Sequence, residues 1–106
     1  MTNPTMTIGN YTANGPFDVD QVSNCPGVYI ILCGNPNETE LNVIDVGESE
    51  RVLNRLKTHD RKECWQQHCS ITLKAVVIRK NVNTQDKRLK IEQELRQAFQ
   101  PPCGQN

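Results

Sequence analysis

The chain predicts a mixed α/β (α+β) fold, a three-stranded antiparallel sheet flanked by helices. Two short apolar, β-rich runs stand close together at Val28 to Cys33 and Leu41 to Val46, and a third follows at Ile71 to Ile78. Around the third run the apolar period lengthens to that of a helix, first at Val52, Leu53 and Leu56, then at Ile91, Leu95 and Phe99. With 106 residues there is room for one small domain and one modest core.

Residues 1–26 are rich in Asn, Thr, Gly and Pro and hold no sustained period. They read as an irregular arm, with a short strand near Ile8 to Thr12 or a helical turn near Val19 to Val22 as local options. Residues 27–104 form the folded unit. Its first two strands are separated by Gly34-Asn35-Pro36-Asn37, a cluster of turn formers running on to Glu40, so an antiparallel hairpin is expected. Ser49 is placed to cap the next helix, on which Arg51, Arg55 and His59 recur at steps of four. A short helix is possible over residues 62–68, with Trp65 anchoring it to the core. In the third strand Ile71, Leu73, Ala75 and Val77 alternate onto one face. The last helix starts near Asn83, carries Ile91, Leu95 and Phe99 inward, and is stopped by Pro101-Pro102.

Composition narrows the setting. Five aromatic residues leave the core to Val, Ile and Leu. No apolar run reaches the ~20 residues of a membrane span, and the N-terminus lacks a signal-peptide pattern, so a cytoplasmic protein without membrane partners is expected. Five cysteines, an odd number, suit reduced thiols better than a closed disulfide framework, and Cys33 reads as a small buried residue. The zero net charge divides unevenly: residues 1–50 sum to −7 and residues 51–106 to +7. The basic half could attract phosphates, or the two halves could complement each other in the fold.

The chemistry-bearing residues are Tyr29, Asp45, Arg55, His59 and Glu92. Cutting a phosphodiester requires a base for the attacking water and a cation or guanidinium for the charge on phosphorus. A Tyr, an Arg, a His and a distant Glu supply these groups. Taken singly, each has a plainer reading. Tyr29 could be a core aromatic, Arg55 and His59 an exposed basic stripe, and Glu92 a helical partner of Arg88 or Arg96.

In order, these residues resemble the GIY-YIG nuclease superfamily. Gly27-Val28-Tyr29 matches its first motif and Asp45-Val46-Gly47 its second. Arg55 and His59 stand eight and twelve residues after Gly47, and Glu92 lies nine before Pro101, with Gly104 where the family usually has Asn. The resemblance implies metal-dependent hydrolysis of DNA phosphodiesters, RNA being a second possible substrate. Tyr29 would be the base or orient the water, Arg55 would stabilise the phosphorane, and His59 would assist proton transfer. Glu92 would hold Mg2+ or Mn2+, and Gly27, Gly47, Arg51 and Lys57 would line the substrate. Asp45 replaces the second motif's tyrosine and could act as a base, recruit a metal, or repel phosphate and silence the site. A catalytically impaired module that binds nucleic acid or protein is the alternative, and a partner protein could supply targeting. His59, Cys64, His68 and Cys69 also fall within eleven residues, in a spacing unlike common zinc fingers.

Overall fold

The computed structural model describes residues 4–34 and 41–104. Its elements are β1 (Thr5–Ile8), β2 (Tyr11–Asp18), a single 3-10 turn (Val19–Gln21), β3 (Gly27–Cys33), β4 (Asn42–Ser49), α1 (Val52–Lys57), α2 (Lys62–Gln67), β5 (Leu73–Ile78) and α3 (Gln85–Phe99). All strand pairs are antiparallel, and the sheet order is β1-β2-β5-β3-β4.

Among the described residues the sheet therefore has five strands where three were expected. The expected three are its β5-β3-β4 side, and the stretch expected as an irregular arm supplies β1 and β2. This hairpin escapes the apolar-run criterion because its strands are built from Thr, Asn, Gly and Pro, with a register shift between Asn14 and Phe17. It docks through Ile8 and Ala13, both buried. Tyr11 of β2 also hydrogen-bonds to Glu94 of α3. Of the turn cluster expected between β3 and β4, Gly34 is described, with φ +141°, and residues 35–40 lie outside the described residues.

β3 is the central strand and is buried along its whole length. Because side chains alternate across a strand, it feeds two cores. Val28, Ile30 and Leu32 face Ile91 and Leu95 of α3, and Tyr29 and Ile31 face Val52, Leu56 and Trp65 of α1 and α2. A register shift between Ile31 and Leu32 in the β3–β4 pair brings both Ile44 and Asp45 to the α1–α2 side.

The helices follow the sequence signals with local changes. Ser49 does not cap α1; its hydroxyl instead accepts the N–H of Arg51 at 2.9 Å and turns the chain into the helix. α1 ends at Lys57, so His59 leaves the basic stripe and turns inward. Thr84 caps α3 by accepting the N–H of Lys87 at 3.3 Å, and Gln100 closes it in the left-handed region before Pro101. Ile91 and Leu95 are buried as expected, whereas Phe99 and Ile71 are exposed.

The cysteines correct the expectation of reduced thiols. Cys33–Cys69 and Cys64–Cys103 are disulfides, leaving Cys25 free. The odd total arises from that one residue rather than from a reduced set. Cys33 is thus a cross-link joining the end of β3 to the segment before β5. The −7/+7 asymmetry is partly consumed within the fold: Asp18 pairs with Lys74, Asp45 with Arg61 and Arg96, and Glu48 with Arg88. No described helix is long and apolar enough to cross a membrane.

Candidate functional site

The central strand pair places Tyr29 opposite Gly47. A Cβ on Gly47 would overlap the Tyr29 ring and hydroxyl, so a glycine is needed for the phenol to lie across β4. Gly27 has a similar spatial role, since a Cβ there would come within 2.7 Å of Val77 and 2.9 Å of the Ile78 carbonyl. Both motif glycines thus serve packing; neither needs a substrate to explain it.

With the phenol across Gly47, its hydroxyl lies 2.5 Å from His59 Nε2, and both side chains are buried. The direction of this bond follows from a second one. The Arg61 backbone N–H donates to His59 Nδ1 at 3.1 Å, so the neutral ring carries its proton on Nε2 and donates it to the Tyr29 oxygen. Burial lowers the His59 pKa to about 4, with Arg61 and Arg55 acting in the same direction, which keeps the ring neutral. Burial also raises the Tyr29 hydroxyl to about 12, against the opposing pull of Arg61. Trp65 packs on His59 with ring centroids 4.7 Å apart.

Arg55 and Glu92 reach the same region from opposite sides of the sheet, and the charges of Arg61, Asp45, Arg55 and Glu92 all act on Tyr29. Arg55 is part-exposed and pairs with exposed Asp60 at 3.3 Å. Glu92 is part-buried, and burial raises its pKa, with Arg96 opposing. Its bond from Arg96 Nε is 3.3 Å, long for a charge-assisted pair.

Asp45 occupies a different chemical position. It is fully buried, and each oxygen has two donors. Oδ1 accepts the Val46 N–H at 2.8 Å and Arg96 Nη2 at 2.9 Å; Oδ2 accepts Arg61 Nε at 2.8 Å and Trp65 Nε1 at 2.7 Å. Four donors fill the acceptor sites of a carboxylate. In this arrangement Asp45 has no lone pair left for a metal or a water, and two guanidiniums balance its charge.

The remaining sequence-picked residues lie elsewhere. Arg51 is exposed at the start of α1. Lys57 is exposed and lines a cleft of about 300 Å³ with Lys62, Leu56 and Trp65. The four residues considered for zinc are split: His59 serves Tyr29, and Cys69 is bonded to Cys33. Sequence reading missed Arg61 and Arg96 as the partners of Asp45. The one available signal was Asp45 itself, because an acid inside an apolar strand must find buried cationic or hydrogen-bonding partners.

Hard divalent cations such as Mg2+ or Mn2+ favour carboxylates together with water and phosphate oxygens. Glu92, whose charge acts on Tyr29 and whose Arg96 bond is long, offers a single carboxylate for that role; Glu48 is committed to Arg88 at 2.8 Å and Asp45 is saturated. No family model matches the chain, and no curated protein or solved structure matches it either.

Proposed function

We propose that the domain is a GIY-YIG-like, metal-dependent nuclease that hydrolyses phosphodiester bonds of DNA. The observation that carries this reading is the Tyr29–His59 couple, built over Gly47, with Arg55 and Glu92 acting on the same hydroxyl.

The two residues divide the work by their protonation. Tyr29, with its pKa near 12, keeps its proton at neutral pH. Its oxygen accepts from His59, so its own O–H is left to orient a water or a phosphate oxygen, which favours the orienting role over that of a resting base. His59 fixes that direction. Arg55 has a part-exposed guanidinium to set against charge on the phosphoryl oxygens. Glu92 would hold Mg2+ or Mn2+, which would supply Lewis-acid stabilisation of that charge. A partner protein would supply targeting, and RNA substrates belong in the same assay. The two disulfides favour an oxidising compartment over the cytoplasm.

A second reading has its own observation in favour. Tyr29 and His59 are buried and Asp45 is saturated, as suits a scaffold that binds nucleic acid or protein without cutting. Incubation of the chain with supercoiled plasmid and with short RNA, in Mg2+ or Mn2+, separates the two. Nicking that falls about 10²–10³-fold in both Glu92→Gln and Arg55→Ala supports the nuclease. Nicking that survives both variants overturns the site, and none on any substrate leaves the binding module.

A further inference from the structure

We propose that Cys64, His68 and Cys103 form a zinc site once the Cys64–Cys103 disulfide is reduced. The junction between α2 and the C-terminal tail would then be closed by a disulfide in the oxidised chain and by a metal in the reduced one.

Three features place the donors. The ligand atoms of the three residues lie within 4.8 Å of one another. Cys64 and His68 are one helical turn apart, joined by the His68 N–H to the Cys64 carbonyl at 3.1 Å, so both side chains leave the same face of α2. Cys103 is positioned by its backbone, independently of its sulfur: its N–H donates to the Ile44 carbonyl at 3.1 Å, and its carbonyl accepts Arg96 Nη1 at 3.2 Å. Breaking the S–S bond therefore leaves Cys103 facing α2. His68 is exposed, which gives an ion a path in.

The donor chemistry selects the ion. Two thiolates and an imidazole suit zinc, with water completing a tetrahedron. A dithiol or phosphine reductant supplies two electrons and the disulfide becomes two thiols; zinc then displaces the two thiol protons as it binds. The second disulfide makes a built-in control. Cys33 and Cys69 have no third donor grouped with them among the described residues.

The test uses the full chain reduced with a phosphine and titrated with Co2+, then Zn2+. The expected result is about one cobalt per chain, thiolate-to-cobalt charge-transfer absorption, and its loss as zinc displaces the cobalt. The oxidised chain should give no such absorption. His68→Ala and Cys103→Ser should each weaken it or abolish it, while the double variant Cys33→Ser/Cys69→Ser should keep it. Far-UV circular dichroism checks that each variant is folded; a reduced chain that folds only when zinc is added supports the site as well. No thiolate–cobalt absorption from the reduced chain overturns the proposal. So does absorption that ignores His68→Ala and Cys103→Ser, or that depends on Cys33 and Cys69. None of these readouts depends on nuclease activity.

Discussion

Gly47 shows how much one missing side chain can settle. Without a Cβ it admits the Tyr29 ring, which in turn sets the distance to His59. Gly47→Ala should therefore cost about 1–3 kcal/mol through overpacking, read as a lower urea midpoint. In the same variant the slowly exchanging His59 Nε2 proton should disappear from the NMR spectrum, because its acceptor is displaced. An alanine variant with unchanged stability and that proton still present would show that Tyr29 has room to spare. Tyr29 and Gly47 were legible as strand residues because their spacing survives translation into register, whereas the inward turn of His59 was not, because α1 ends two residues before it. Arg61 and Arg96 were not: a charge pair spanning 51 residues, as Arg96–Asp45 does, leaves no period to read.

Among the elements, Asp45 ties together pieces that pack on opposite faces of the sheet. Arg61 lies in the junction between α1 and α2, and Arg96 belongs to α3; both end on one carboxylate of β4. Arg96 also bonds to the carbonyls of Val46 and Cys103, so α3, β4 and the tail share one guanidinium. Asp45→Ala should cost about 3 kcal/mol, since it strands two partly buried cations, and amide exchange should rise in α2 and the tail together. A rise confined to β4 would show that the network binds locally only. Strands of Val and Ile announced themselves in the sequence, as did α3 with its stripe of Ile91 and Leu95 and its proline stop. The β1–β2 hairpin did not, because much of its stability comes from docking on β5 and α3 rather than from its own composition.

For the whole molecule, the buried neutral His59 makes stability depend on pH. Its folded pKa of about 4 lies below the ordinary value of about 6.5, so the unfolded chain binds the extra proton between those values. The contribution is fully present above about pH 6.5 and is lost as pH falls toward 4. On the order of 2–3 kcal/mol should go in that window. Urea midpoints measured at steps across it should fall in the parent chain and flatten in a His59→Gln variant. A parallel slope in both would assign the effect to carboxylates instead.

The tail has a consequence for assembly. By laying the Cys103 N–H on the Ile44 carbonyl, and fastening it through Cys64 and Arg96, the chain covers part of the outer edge of β4. The opposite border of the sheet is β1, where Thr5 and Thr7 are exposed and no described strand pairs beyond it. An added strand, whether from a second copy or from a peptide, therefore meets the least obstruction at the N-terminal hairpin, the part of the sheet farthest from Tyr29 and His59. Growth of the sheet is thus directed to the border opposite the tail, with two strands between it and the buried Tyr29–His59 pair.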